Sequence, residues 1–189
     1  MTLQYDPLNR VTNMMDAVGE TKYAYTLGSQ LWTEDGPWND DTVTNLYSHR
    51  LRVGMDLKQP TGFIANTFAY DAARRLTNVT SPAGAFGYLL SAYQPSTLIH
   101  QLALPNTSYI TNTYDAVARL MSTHLKNSSH STLNSHQYAY NLANHRTQQS
   151  YHSGSSYDYS YDKIGKLKVA DSGTPSEDRA YDYDTAWNL

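Results

Sequence analysis

The sequence predicts an all-β protein: tandem antiparallel β-hairpins forming one continuous curved sheet. Three observations lead there. A tyrosine recurs nine times, at Tyr5, Tyr25, Tyr47, Tyr70, Tyr93, Tyr114, Tyr140, Tyr161 and Tyr183, in steps of 20, 22, 23, 23, 21, 26, 21 and 22 residues. Six residues after each comes an aliphatic, in order Val11, Leu31, Val53, Leu76, Ile99, Leu120, Leu167 and Leu189, with Arg146 the one exception. Aromatics also stand two residues apart at the motif, as in Tyr23 with Tyr25, Phe68 with Tyr70, and Tyr159 with Tyr161. Residues two apart share one face of a strand, so each pair lays adjacent rings on a common surface. A fixed period of this length marks a repeat array.

Each unit reads as a strand, a tight turn, a return strand and a second turn at the tyrosine. The fourth unit is clearest, because Ser81-Pro82-Ala83-Gly84 suits a type I turn with Ser at i, Pro at i+1 and Gly at i+3. Turn sequences fall at nearly the same offset elsewhere: Asp16-Ala17-Val18-Gly19, Gln59-Pro60-Thr61-Gly62, Leu104-Pro105-Asn106-Thr107, Tyr151-His152-Ser153-Gly154 and Asp171-Ser172-Gly173. Residues 33–44 and 126–137 depart from the pattern and read as longer loops within the array. A lone hairpin is marginal in water, so neighbouring units must pair edge to edge. Eight complete units supply about sixteen strands, and a twisted sheet beyond about ten strands curls, splits or flattens. The expectation is one solenoid-like array over residues 1–189, without a separate second domain.

The loop after the tyrosine repeats an acid-base pair: Asp6 with Arg10, Asp71 with Arg75, Asp115 with Arg119, Asp162 with Lys166. Where the acid becomes Thr26, Gln94 or Asn141, the base becomes Gln30, Leu98 or His145; Ser48 with Arg52 and Asp184 with Asn188 break the correlation. The pairing predicts a contact that pins the turn, with the Asp also bonding its own backbone. Its predicted job is local geometry.

Composition agrees and excludes. The chain has 17 Tyr against 3 Phe and 3 Trp, and only 16% charged residues, below the roughly 25% of an average domain. Tyrosine suits a half-buried pleated surface, where the ring packs and the hydroxyl finds water or a partner. The net charge is −3 and no Lys/Arg run occurs, which leaves nucleic-acid binding little to work with. No cysteine is present, so disulfides and thiolate metal sites are excluded. No window of 18 apolar residues predicts a membrane span, and residues 1–5 carry no basic-then-apolar signal. The array runs to both ends, and the expectation is a slice of a longer repeat protein.

A unit of the form Tyr-Asp-x-x-(Gly/Ala/Asn)-Arg-Leu, a turn ending in Gly, then Tyr-x-Tyr-Asp resembles the YD repeat of the RHS (rearrangement hot spot) and teneurin family. The best matches run from Tyr5-Asp6 to Val11, Tyr70-Asp71 to Leu76, Tyr114-Asp115 to Leu120 and Tyr161-Asp162 to Leu167, and the resemblance covers the whole chain. It implies a long β-sheet spiralling into a hollow shell, which encloses a toxic domain in bacterial toxins and forms part of an adhesion ectodomain in teneurins. It implies a secreted or cell-surface setting, with adjacent repeats of the same longer polypeptide as partners. This chain has too few repeats to close a shell. It also lacks the Asp-Pro-x-Gly-Leu or Asp-Pro-x-Gly-Trp sequence that ends toxin-type shells.

No catalytic motif is evident: Gly-x-Ser-x-Gly, His-Glu-x-x-His and Gly-rich phosphate loops are all missing. His124, His130 and His136 lie six apart amid Ser, Asn and Thr, which favours a flexible polar loop over a metal site. Asp35, Asn39, Asp40 and Asp41 suit an oxygen-rich calcium loop and equally a widened turn. Trp32 and Trp38 flank that loop and are candidate ligand contacts, since exposed aromatics stack on sugars; the alternative has Trp32 filling a strand position and Trp38 capping the hairpin. The leading reading is a structural, non-catalytic repeat segment that needs no cofactor. Against it stand a module binding glycans or cell-surface proteins through aromatics and long loops, and a degenerate coding remnant.

Overall fold

The computed structural model describes residues 1–90 and 98–184; Tyr93, Gln94, Asn188 and Leu189 lie outside the described residues. The protein is all-β, with seventeen antiparallel strands and one three-residue 3-10 turn, Pro175–Glu177, among the described residues. It divides into two compact units, Met1–Tyr88 and Leu89–Leu189.

The strands that begin in the first unit are β1 (Thr2–Tyr5), β2 (Val11–Met15), β3 (Glu20–Tyr25), β4 (Leu31–Asp35), β5 (Val43–Ser48), β6 (Leu51–Gln59), β7 (Gly62–Tyr70), β8 (Leu76–Ser81) and β9 (Gly84–Leu90), whose last two residues belong to the second. Each pairs antiparallel with its neighbour in sequence. The second unit repeats the meander with β10 (Ile99–Ala103), β11 (Tyr109–Tyr114), β12 (Leu120–Lys126), β13 (Thr132–Tyr140), β14 (Arg146–Tyr151), β15 (Ser156–Tyr161), β16 (Leu167–Ser172) and β17 (Arg179–Ala180). Tandem hairpins follow directly from alternating turn signals and period-two aromatics.

Most turns share one geometry. In the first, the Asn9 N–H donates to the Asp6 carbonyl and the Asp6 N–H to the Arg10 carbonyl, both at 2.9 Å. Asn9 sits in the left-handed region at φ 60°. Closing the hairpin this way inserts one extra residue, so that Tyr5 opposes Val11 but Gln4 opposes Asn13. The same bulge follows Tyr25, Tyr70, Tyr114, Tyr140 and Tyr161. A bulge leaves the ladder locally unpaired and turns the strand more strongly.

The loop after Tyr47 differs. Ser48 opposes Leu51, and both central residues have positive φ, 48° at His49 and 69° at Arg50. This is a two-residue type I′ turn. The loop is one residue shorter, so Tyr47 opposes Arg52. Val53, the sixth-offset aliphatic, is therefore the bulged residue, unlike Val11 or Leu31.

Two sequence expectations are corrected. Residues 126–137 are not a longer, flexible loop: β12 runs through Lys126, β13 starts at Thr132, and five residues join them. Asn127 takes the part of the motif aspartate, its Oδ1 accepting the N–H groups of Ser129 and Ser131 at 3.0 Å, with His130 at φ 65°. The Asp171-Ser172-Gly173 turn also starts later, since β16 continues through Ser172. Residues 36–42, by contrast, do form a seven-residue loop between β4 and β5.

Neither unit has a second layer among the described residues. Among the described residues only Asn45, Gly54 and Ala170 are buried outright.

Candidate functional site

The repeated motif assembles into a seam running from one hairpin to the next. Within each turn, the aspartate organises the backbone. Asp6 Oδ1 accepts the N–H groups of Leu8 (2.9 Å) and Arg10 (3.0 Å), and its Oδ2 accepts the Arg10 Nε–H at 2.6 Å. Asp71 with Arg75 and Asp115 with Arg119 repeat the arrangement, with ion pairs at 2.7 and 2.6 Å. Asp162 Oδ1 accepts the N–H groups of Ile164 and Lys166. These bonds to the charged form hold all four carboxyls below the usual range. For Asp6 the leading cause is the Arg10 side chain; for Asp71, Asp115 and Asp162 it is the backbone N–H of Arg75, Arg119 and Lys166. Where the acid is absent, Thr26 Oγ1 accepts the Gln30 N–H at 3.1 Å and Asn141 Oδ1 the His145 N–H at 2.9 Å. The backbone role survives the loss of charge.

The basic residue also reaches the next turn. Arg10 Nη1 donates to Ser29 Oγ at 3.0 Å, and its guanidinium lies 4.5 Å from the Tyr25 ring centroid. Arg119 donates to the Asn141 carbonyl (3.1 Å) and to Asn144 Oδ1 (3.0 Å), over the Tyr140 ring at 5.1 Å. The Lys166 ammonium stands 4.9 Å from the Tyr183 ring, and His145 stacks on Tyr161 at 4.6 Å. Gln30 Nε2 donates to the Arg50 carbonyl at 3.0 Å. Thus the fifth-offset residue joins consecutive hairpins as well as pinning its own turn, an inter-unit role that spacing within one repeat could not reveal.

The tyrosine hydroxyls complete the seam. Tyr25 donates to the Val11 carbonyl at 2.8 Å, Tyr47 to Leu31 at 2.9 Å, Tyr70 to Arg52 at 2.8 Å, Tyr114 to Ile99 at 3.0 Å, Tyr140 to Leu120 at 2.9 Å, and Tyr161 to Arg146 at 2.7 Å. Wherever the register is described, the acceptor is the residue opposite the preceding tyrosine, at the edge of the bulge. A carbonyl left half-buried there needs a donor, and the next tyrosine supplies it. Tyr5 donates to no such carbonyl and is 52% exposed. The one-sided use of Tyr over Phe was the sequence signal for this bond: the motif position is always Tyr, whereas two residues earlier Phe68 is tolerated.

The fold has solved counterparts. A chain in the crystal structure of TcdB2-TccC3-Cdc42 superposes with a TM-score of 0.59 at 13% identity, covering 98% of this chain and 11% of that one. The crystal structure of TcdB2-TccC3 without its hypervariable C-terminal region gives 0.58 at 13% identity, covering 97% and 11%. This chain has the fold of a segment of those chains. It spans about a tenth of their length. No family model matches the sequence, and no curated protein matches it.

The remaining candidates do not converge. Trp32 is the bulged residue between Leu31 and Thr33 and is 49% exposed; Trp38 lies in the 36–42 loop and is 67% exposed. No ring contact joins them among the described residues. In the acidic loop each carboxylate has a different partner: Asp35 accepts the Thr42 hydroxyl, Asp40 pairs with Lys58, and Asp41 accepts the Trp38 N–H. Among the described residues no three His, Cys, Asp or Glu side chains group as metal ligands. His124 and His136 lie on β12 and β13, and His130 in the intervening turn hydrogen-bonds the Tyr109 hydroxyl at 2.6 Å.

Proposed function

We propose that this chain is a non-catalytic structural segment of a YD-repeat protein of the RHS and teneurin type, forming part of the curved β-wall of a shell or surface protein. The observation that carries the reading is the tyrosine seam, in which ring, hydroxyl and fifth-offset base all act between neighbouring hairpins. Groups spent on joining units are not free to act on a substrate. The single-layered sheet and the likeness to segments of TcdB2-TccC3 chains support the same reading. Its partners are then adjacent repeats of one longer polypeptide, in a secreted or cell-surface setting, with no cofactor. The intact mass of the native protein tests this. A mass far above 21.3 kDa, with further repeats in the same chain, is expected; a stable native product of this mass contradicts it.

A second reading, a glycan- or protein-binding adhesion module, is favoured by the exposure of Trp38. A glycan array comparing the protein with its Trp38→Ala variant separates the two. Binding lost on substitution supports the module, and signal at background removes it.

A further inference from the structure

Two tyrosines of the second unit stand outside the repeat pattern. Tyr151 lies eleven residues after its motif tyrosine, and Tyr157 four residues before the next; no other repeat has a tyrosine at either offset. Both are half-buried, at the end of β14 and near the start of β15. Gln149 opposes Tyr157, so Tyr151 is its diagonal neighbour on the same face. Their ring centroids are 6.0 Å apart, with the planes at 72°. On the other side of Tyr157, the Tyr159 ring is stacked at 6.3 Å with the planes at 14°.

A base is fixed against the central ring. The Tyr157 hydroxyl donates to Glu177 Oε2 at 3.0 Å. Glu177 ends the 3-10 turn, and Ser172, which opposes Tyr157 on β16, pins that turn. The Ser172 N–H donates to Asp178 Oδ1 at 2.8 Å and its hydroxyl to the Thr174 carbonyl at 2.7 Å. The bond to Glu177 pushes the Tyr157 pKa up, so the phenol keeps its proton at rest. A phenol that loses an electron becomes a strong acid. Its oxidation therefore goes with loss of the proton, and a carboxylate already within hydrogen-bond reach accepts it. Tyr109 has half of this arrangement: its hydroxyl meets His130 Nδ1 at 2.6 Å. Among the described residues its ring packs on that imidazole and on no second phenol.

We propose that Tyr157 is an oxidative modification site, joined to Tyr151 by a dityrosine bond when a haem peroxidase and hydrogen peroxide act on the chain. Each phenol gives up one electron and its hydroxyl proton, that of Tyr157 passing to Glu177. The two radicals join at ring carbons ortho to the oxygens. Each ortho hydrogen then moves to its own oxygen, restoring two phenols. The two electrons and two protons released reduce one hydrogen peroxide to two waters. Crowding between the ortho hydroxyls holds the joined rings at an angle, which the edge-on Tyr151 approaches and the parallel Tyr159 does not. The product staples β14 to β15 in a chain that has no cysteine. It does not depend on the wall reading, because none of these groups belongs to the seam.

The test treats the chain, over a range of dilutions, with a haem peroxidase and hydrogen peroxide. Dityrosine fluorescence follows the bond, and tandem mass spectrometry of the peptide holding Tyr151, Tyr157 and Tyr159 places it. The expected product is a monomer lighter by two hydrogens, in a yield independent of dilution. Backbone fragments should be missing between Tyr151 and Tyr157 and present between Tyr157 and Tyr159. Tyr151→Phe is expected to abolish this product and Tyr159→Phe to leave it unchanged. Glu177→Gln keeps a hydrogen-bond acceptor but removes the base, and is expected to slow bond formation about fivefold or more. No bond in the wild-type protein, a bond joining Tyr157 to Tyr159, or an unchanged rate in Glu177→Gln would each overturn the proposal.

Discussion

Removing one hydroxyl from the seam tests it at atomic resolution. Tyr140→Phe keeps the ring beneath Arg119 and deletes only the donor to the Leu120 carbonyl. That bond is partly buried, as are those of Tyr25, Tyr47 and Tyr114, whereas those of Tyr70 and Tyr161 are exposed. Deleting a donor and leaving a half-buried carbonyl unpaired costs about 1 kcal/mol; with water at hand to replace it, the loss falls nearer 0.5 kcal/mol. At a urea slope of about 2 kcal/mol/M, the larger loss moves the midpoint by about 0.5 M. Tyr25→Phe and Tyr140→Phe lie in different units and share no partner, so together they should lower stability by about 2 kcal/mol. Urea unfolding followed by circular dichroism reads these values. Four part-buried variants indistinguishable from wild type, or exposed sites as costly as the part-buried ones, would refute the reasoning.

Further outcomes follow from the turns and the face. Ala118 is held at φ 68°; Ala118→Gly relieves about 1 kcal/mol of left-handed strain and returns part of it as chain entropy, for a net gain of about 0.5 kcal/mol in thermal or urea unfolding. Gly165 sits at φ 85°, and a Cβ there would lie 2.9 Å from the His145 ring, so Gly165→Ala should lose about 1–2 kcal/mol. Leu142 at a turn tip is 105% exposed, and Leu142→Ser should change stability by less than about 0.5 kcal/mol; Leu120→Ala, at a half-buried strand position, should lose about 2 kcal/mol. The motif aspartates have folded-state pKa values below their unfolded ones, so their stabilisation is complete above the unfolded value and is lost as pH falls through the folded one. Stability should therefore drop below about pH 4, with a shallower acid limb in Asp115→Asn.

What was legible in the sequence was whatever repeats. Nine tyrosines and their aliphatics set the hairpin period, and Ser81-Pro82-Ala83-Gly84 and Asp16-Ala17-Val18-Gly19 join strands where their residue types say they should. The Asp-Arg spacing disclosed a turn contact that the structure contains. What escaped was geometry reached across the period. The Tyr140 hydroxyl and the Leu120 carbonyl are 20 residues apart, and only the strand register brings them together. Polar composition also misled: residues 126–137 look like loop because Ser, Asn and His dominate, yet Asn127 closes a tight turn by an Asx bond while the flanking residues join the ladder.

The seam's defining property is that it acts between nearest units, and a double-mutant cycle measures that directly. Arg119 lies over Tyr140 of the next hairpin, so Arg119→Met combined with Tyr140→Leu should show a coupling of about 0.5–1 kcal/mol. Arg119→Met with Tyr161→Leu, one hairpin further on, should be additive. Coupling absent from the adjacent pair, or equal in both, would contradict the account.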